Sequence, residues 1–268
     1  MCTCSSERLY CASEAPLLAA MPHSPQILKL PRQTSSPETW QSLIAKTKQL
    51  RLEALKTSPT TFASTYAVEV EFDIQKWHDR LLNPAATHFV SIETPTSDAN
   101  PTDSVSKLLN NAWQGVLVML EERDEQPAVS SANHSPWDAL TALEQSNALL
   151  GQNHGQDQEK SVLHYHMSGF FVRSQYRGRG VGTALIEAAI KHGDEQRDAM
   201  EREQCHYTLV VDDYNTSAIK AYEKCGFAVF RKEEFTPMTP GGFGGNGEKR
   251  TAVWMERRTY PVSRNDDV

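Results

Sequence analysis

The sequence predicts an α/β fold in which helices cover both faces of a mixed β-sheet. Apolar residues recur at helical spacing in residues 37–56 and 181–200, and runs rich in β-branched and aromatic residues read as strands. A glycine-rich tract at residues 176–183 joins one such strand to the second helix. Strands and helices that alternate along a chain pack as helical layers over a central sheet.

The first half of the chain contains two predicted helices with clear start signals. Ser35 or Ser36 can cap the first helix, which has Pro37 in its first turn, and Asp73 can cap the second. The predicted elements are the strand Gln26–Leu30, a helix from Pro37 to about Lys56, the helix Ile74–Leu82, and the strands Thr87–Ile92 and Trp113–Leu120.

Two polar segments interrupt this pattern and are interpreted as insertions. Residues 93–110 are predicted to form a loop, and residues 121–160 are rich in polar residues. Within the second segment, apolar residues from Trp137 to Leu150 predict a helix that either packs on the surface or binds a partner. The domain plan is a disordered leader at 1–25, one domain at 26–258 with insertions at 93–112 and 121–160, and a flexible tail at 259–268.

The alternation of strands and helices is clearest after Ser161. The helix that opens at Gly180 has its small and branched apolar residues on one side, which predicts that this side is buried. The predicted elements are the strand Val162–Val172, the helix Gly180–Met200, the strand Tyr207–Val211, the helix Ser217–Lys224, and the strands Phe227–Arg231 and Thr251–Arg257.

Composition argues against several classes of function. The chain has 27 Lys and Arg against 34 Asp and Glu, a formal net charge of −7, whereas a nucleic-acid binder needs a basic surface. No apolar stretch approaches the ~20 residues of a membrane span, and no secretory signal is evident. The 5 cysteines are irregularly spaced, which predicts free thiols, no metal site and a cytoplasmic location.

The glycine-rich tract is the most informative part of the sequence. Glycines let the backbone approach a ligand closely, and the first amides of a helix form an anion site. With two arginines beside them, a diphosphate is the expected guest. A simple tight turn with solvated arginines stays open, whereas the GxGxxG and Gly-Lys-Ser/Thr loops do not match. The tract is Tyr176, Arg177, Gly178, Arg179, Gly180, Val181, Gly182 and Thr183.

Two motifs give the chain a resemblance to a known family. Arg177-x-x-Gly180-x-Gly182 resembles the Gln/Arg-x-x-Gly-x-Gly/Ala pattern of the GNAT superfamily of acetyl-CoA-dependent N-acetyltransferases. The segment from Asn215 to Phe227 resembles the family's Asn-x-x-Ala…Tyr-x-x-x-Gly-Phe segment. The two motifs occur in the family's order and at its usual separation. The resemblance covers residues 26–258 apart from the insertions, and it is weakest at 93–160.

The resemblance implies a GNAT fold, in which a mostly antiparallel central sheet is splayed between two parallel strands, here Val162–Val172 and Tyr207–Val211. A bulge would free the edge of the first strand, so that its backbone pairs with the pantothenate amides of acetyl-CoA and stabilises the oxyanion. The implied acetyl-CoA contacts are Phe170, Phe171, Val172, Arg177, Gly178, Arg179, Gly180, Val181, Gly182, Thr183, Asn215, Ser217 and Tyr222.

Two residues are candidates for catalysis. Tyr222 matches the family tyrosine that protonates the leaving thiolate, and its alternative reading is a core aromatic residue. His166 is the candidate general base, because an unperturbed imidazole has a pKa near ~6.5. His164 and Ser168 share its strand face. A structural histidine beside the cleft is an equally open interpretation.

Other polar residues near the expected site receive simpler interpretations. Glu69 and Glu71 follow the first helix and are expected to be solvated loop carboxylates. Asp212 and Asp213 are expected to end a strand and turn the chain into Asn215. The glycine-rich segment Pro237–Gly247 is either a mobile flap or an inert loop.

These features predict an N-acetyltransferase that moves the acetyl group of acetyl-CoA to a primary amine of a small molecule by direct transfer in a ternary complex. Two alternatives stay open. One is a protein or peptide acetyltransferase acting on an N-terminus or a lysine, and the other is a non-catalytic acetyl-CoA-binding protein. No nucleic acid or membrane is expected as a partner, and the resemblance allows a homodimer.

Overall fold

The computed structural model describes residues 25–62, 64–93, 103–122, 161–235 and 249–261. In these ranges the chain forms a mixed sheet with the strands β1 (Gln26–Lys29), β2 (Ala86–Ile92), β3 (Trp113–Glu122), β4 (Val162–Val172), β5 (Gln204–Asp212), β6 (Ala228–Phe235) and β7 (Arg250–Thr259). Their order across the sheet is β1-β2-β3-β4-β5-β7-β6. Only β4 and β5 pair in parallel within this sheet, which confirms the predicted architecture.

The described helices are α1 (Pro37–Thr57), α2 (Tyr66–Glu69), α3 (Ile74–Leu82), α4 (Ser104–Asn110), α5 (Val181–Ala199) and α6 (Thr216–Lys224). Two predicted N-caps are confirmed. The Ser36 hydroxyl accepts a hydrogen bond from the Thr39 amide at 3.2 Å, and the Asp73 carboxylate accepts one from the Lys76 amide at 2.8 Å. These bonds satisfy amides that have no partner inside the helix.

The prediction of a loop at residues 93–110 is wrong where α4 forms. Asp103 caps this helix by accepting hydrogen bonds from the amides of Val105 and Ser106, at 2.8 and 3.0 Å. At the other end, the Lys46 ammonium donates to the carbonyls of Leu108, Leu109 and Asn111, each at 2.8 Å. A cation at that end also complements the helix dipole. Leu108 is completely buried and holds the helix to the core.

Helices cover both faces of the sheet over two separate cores. On one face, Leu185 and Ala189 of α5 join a buried cluster with Met167 and Leu209 of the two parallel strands. On the other face, α1, α3 and α4 bury a second cluster against β2, whose members include Leu43, Leu50, Trp77, Val90 and Leu108. The two faces of β4 therefore meet different surroundings.

A bulge changes the course of β4. Val116 of β3 lies opposite Phe171, but Val118 lies opposite Ser168, so two residues of β4 face one of β3. Gly169 lies within this bulge with φ of 58°, a left-handed conformation that glycine adopts without strain. Beyond the bulge the side chains change faces, and Phe171 packs in the core beneath α1.

Several predictions fall outside the described residues. They are most of the leader, the helix around Trp137, the segment Pro237–Gly247 and most of the tail. Among the described residues, none of the helices has the length and apolar character to cross a membrane.

Candidate active site

The strands β4 and β5 separate at their carboxyl ends. Their parallel pairing runs from Val162 opposite Gln204 to Met167 opposite Leu209 and stops there. β4 nevertheless continues to Val172, and β5 continues to Asp212. The bulge of β4 begins just beyond the last pair. The predicted V-shaped split is confirmed, and it opens the edge of β4 that faces β5.

The backbone of Val172 points into this split. The next residue, Arg173, donates its amide to the Gln114 carbonyl of the β3 side at 2.9 Å. Because backbone groups alternate in direction along a strand, the amide and carbonyl of Val172 face away from β3. The Arg177 Nε donates to that carbonyl at 2.9 Å. The amide of Val172 therefore lies on the edge that the sequence predicts to contact acetyl-CoA.

The glycine-rich loop has the geometry of an anion site. Gly178 and Gly180 have φ of 74° and 80°, and a Cβ atom at either would meet nothing within 4 Å. Gly180 is the N-cap of α5 and contributes no side chain, so the amides of Val181, Gly182 and Thr183 have no side-chain cap. These amides and the positive end of the helix dipole can bind a diphosphate.

Other residues of the loop hold it beside the split. A Cβ at Gly182 would lie 3.0 Å from the ring of Phe170, so this glycine brings α5 close to β4. Arg177 and Arg179 are exposed, and their guanidinium carbons lie 6.0 Å from the Phe171 ring and 5.9 Å from the Tyr176 ring. Both cations are therefore available at the rim of the loop.

Tyr222 of α6 is buried next to the open edge of β4. Its ring centroid lies 5.4 Å from that of Phe170 and 5.5 Å from that of Phe227. No group of the described residues hydrogen-bonds its hydroxyl, and burial raises the pKa of Tyr222 above its usual range. The residue therefore stays protonated at neutral pH. Asn215 caps its helix by accepting from the Ala218 amide at 3.3 Å, and Ser217 is exposed.

His166 lies on the face of β4 away from α5. Its Nδ1 lies 3.0 Å from the Thr208 hydroxyl, and only 2% of the residue is exposed. Burial lowers the pKa of His166 to about 4, because the charged imidazolium loses its solvation. The expectation that this group titrates near neutrality is therefore wrong. His166 is neutral at pH 7.

Two further histidines, His164 and His206, lie next to each other on the face of the sheet that carries His166. The rings of His164 and His206 are 5.3 Å apart, and His206 Nε2 lies 2.7 Å from a carboxylate oxygen of Glu256. Burial, as the largest effect, lowers the pKa of His206 despite this carboxylate. No group of three or more His, Cys, Asp or Glu within the described ranges could hold a metal ion.

Comparison with known proteins identifies this arrangement. Residues 103–227, which span β3 to α6, match the family model described as "Acetyltransferase (GNAT) family". Residues 103–227 carry a GNAT acetyltransferase domain. Acetyl-CoA is the acetyl donor of this family. No curated protein matches the sequence at a significant level.

Solved structures resemble the GNAT domain at low sequence identity. A GNAT-family acetyltransferase from Streptococcus pneumoniae is 13% identical, with coverage of 87% of this chain and 100% of that one and a TM-score of 0.47. A putative acetyltransferase from Salmonella typhimurium with acetyl-CoA is 10% identical, with coverage of 91% and 99% and a TM-score of 0.48. At these values, neither structure assigns a substrate to the chain.

Glu69 is not the solvated carboxylate that the sequence suggests. It is completely buried, and its two oxygens lie 2.7 Å from the guanidinium groups of Arg51 and Arg80. Burial alone would raise the pKa of Glu69, but the two cations outweigh it and lower the pKa to about 2. Glu69 therefore joins α1, α2 and α3, whereas Glu71 is exposed as expected.

Asp212 ends β5 and stabilises the turn that follows, as the sequence predicts. It pairs with Arg250, the first residue of β7. Arg250 Nη2 and the Tyr214 hydroxyl both donate to the Thr60 carbonyl, at 2.6 Å each. Burial raises the pKa of Asp212 even though Arg250 opposes the shift. This cluster connects the segment after α1 to the carboxyl end of β5, and Asp213 is exposed beside it.

Proposed function

We propose that the protein is an N-acetyltransferase that transfers the acetyl group of acetyl-CoA to a primary amine by direct attack in a ternary complex. The observation that carries this proposal is the position of Tyr222, whose ring packs on Phe170 at the open edge of β4. A protonated hydroxyl, an anion-binding loop and a free strand edge are thereby brought to one split.

The described residues fit a CoA thioester. The uncapped amides of Val181, Gly182 and Thr183 would hold the diphosphate, with Arg179 beside them and no Cβ of Gly178 or Gly180 in the way. The Val172 amide would take a carbonyl of the pantetheine arm. Arg177, which donates to the Val172 carbonyl, would turn outward to meet the diphosphate.

The residues around the split suit the proton transfers of an acyl transfer. Acetyl-CoA supplies an activated thioester carbon, to which the amine nitrogen bonds as the carbon–sulfur bond breaks. Tyr222 can donate its hydroxyl proton to the leaving sulfur and regain a proton from solvent. His166 is neutral and can accept a proton from the amine, although its low pKa means that it holds the proton only briefly.

The acceptor that this site supports best is a small molecule. Thr60, Tyr214 and Arg250 form a bridge from the segment after α1 to the start of β7, beside the split. An extended peptide needs an open channel between these two segments, whereas a small amine does not. The cytoplasmic location predicted from the cysteine pattern stays a proposal; the two described cysteines, Cys205 and Cys225, are free and buried.

The test is turnover of acetyl-CoA with a panel of amines, monitored as free thiol and confirmed by mass spectrometry of the product. The panel contains polyamines, arylalkylamines, amino acids, amino sugars and peptides. Activity confined to small amines is the expected result. Activity confined to peptides would contradict the small-molecule proposal and support a peptide acetyltransferase. Tight acetyl-CoA binding by calorimetry without turnover on any acceptor would leave a non-catalytic binding protein.

A further inference from the structure

The residues that connect β4 to the diphosphate loop are anchored by a partly buried ion pair. Arg173 follows β4 directly, and Ser174–Tyr176 form a 3₁₀ turn that leads into Arg177. Arg173 Nε lies 3.0 and 3.1 Å from the two carboxylate oxygens of Glu53, and its Nη2 lies 2.8 Å from one of them. Its Nη1 donates to the Trp113 carbonyl at 2.6 Å.

This ion pair ties the end of β4 to a helix on the face of the sheet opposite α5. Glu53 belongs to α1 on one face, whereas the loop leads into α5 on the other face. The side chains of Arg173 and Glu53 are 18% and 34% exposed. Solvent therefore screens their attraction less than that of a surface pair. An arginine that contacts both oxygens of a carboxylate is fixed in orientation as well as in position.

Apart from the Arg177 hydrogen bond to the Val172 carbonyl and the packing of Gly182 on Phe170, few contacts fix the loop itself. Gly178 and Gly180 have open space around them, and Gly180 caps α5 without a side chain. The connecting turn has a second anchor, because the Tyr176 hydroxyl donates to Glu93 at 2.8 Å. That contact is exposed, so the partly buried contacts of Arg173 are the stronger constraint.

We infer that Glu53 and Arg173 are positioning residues for the donor, because their ion pair fixes the turn that places the diphosphate loop over the split. The inference rests on the proposed function, since it assumes that the loop binds the diphosphate of acetyl-CoA. Neither residue contacts the donor. They act through the backbone of residues 174–180, and loss of the pair releases the loop.

Glu53→Gln tests the inference, because it removes the charge and keeps the shape of the side chain. The Kd for CoA and the KM for acetyl-CoA are expected to rise on the order of tenfold, the usual effect of losing a charged hydrogen bond. The kcat at saturating donor stays close to that of the wild type. Arg173→Gln should have at least the same effect, since it also loses the contact with the Trp113 carbonyl, and the double variant should be no worse than Arg173→Gln alone.

Arg51→Gln is the matched control. Arg51 lies on the same helix and pairs with Glu69, which has no contact with the loop. This variant should lose stability and keep the wild-type Kd for CoA. If Glu53→Gln fails to fold, Arg173→Lys keeps the charge, loses the two-point contact and serves as the second variant.

Hydrogen exchange of the amides of Arg173, Tyr176 and Arg177, which donate to backbone carbonyls in and beside the connecting turn, gives a readout that does not need activity. These amides should exchange faster in Glu53→Gln than in the wild type without any donor present. Unchanged exchange and unchanged CoA affinity in a folded Glu53→Gln protein would overturn the inference. A wild-type protein that binds no CoA would instead defeat the proposed function, while the exchange data would still show whether the ion pair holds the loop.

Discussion

Gly180 offers a direct test of the anion site, because two nearly isosteric substitutions differ there only in charge. Gly180 has φ of 80°, and a Cβ atom meets nothing within 4 Å. Asn and Asp both tolerate the left-handed conformation, so Gly180→Asn and Gly180→Asp should share a strain cost of about 1 kcal/mol. The difference between the two variants therefore isolates the carboxylate.

The magnitude of that difference follows from the position of Gly180. A side chain at the N-cap of α5 lies against the amides of Val181 and Gly182, where the diphosphate is expected. Two unit charges about 4 Å apart repel by about 1 kcal/mol in water and about 4 kcal/mol near a protein surface. The Kd for CoA should therefore be at least about fivefold weaker in Gly180→Asp than in Gly180→Asn.

Calorimetric titration with CoA at two ionic strengths provides the assay. The ratio of the two Kd values should fall as salt rises, because salt screens exposed charges. Thermal unfolding of both variants controls for strain, and the Asp variant should be the more stable of the two by up to about 1 kcal/mol, because a helix N-terminus favours a carboxylate. Equal CoA affinities for the Asp and Asn variants would refute a diphosphate site at the start of α5.

Three further predictions concern residues whose environments the structure defines. Tyr222→Phe should lower kcat by about 100-fold or more, as expected for loss of a general acid, and leave the calorimetric Kd for acetyl-CoA unchanged. If the affinity for acetyl-CoA falls as much as kcat does, Tyr222 has a packing role instead. The pKa of His166 lies below its unfolded value, so stability should fall as pH drops from about 6.5 to about 4, and denaturant unfolding of His166→Gln should show a smaller fall. Glu69→Gln should lower the free energy of unfolding by about 3 kcal/mol, since Arg51 and Arg80 lose their buried anion, while CoA affinity in the folded protein should persist.

The features that sequence predicted well depend on short-range patterns. The loop at Gly178 and Gly180 is encoded by glycine spacing within a few residues, whereas the split between β4 and β5 was expected only from the family resemblance that the two short motifs carry. The caps Ser36 and Asp73 are equally local, because each bonds an amide three positions ahead. Such local signals can be recognised in a single sequence without knowledge of the fold.

The features that sequence missed depend on distant partners. Arg80 and Arg51 lie 11 and 18 positions from Glu69, and their convergence turns an apparent loop carboxylate into a buried one. The partners of the Glu53–Arg173 pair are 120 positions apart. The helix α4 could have been predicted from the sequence, because Asp103 precedes the helically spaced Val105, Leu108 and Leu109.

The lowered pKa of His166 also could not be predicted from the sequence. The spacing of His164 and His166 shows that they share a face of the strand, but not how deeply that face is buried. Residues of β5 and other neighbouring strands exclude water from His166, and only the assembled sheet reveals this desolvation.

A crystal structure of the protein with CoA tests the central claim most directly. The account predicts the diphosphate on the amides of Val181, Gly182 and Thr183, the pantetheine arm along the open edge of β4 at Val172, and the thiol facing the Tyr222 hydroxyl. CoA bound elsewhere, or a thiol that lies remote from Tyr222, would contradict it.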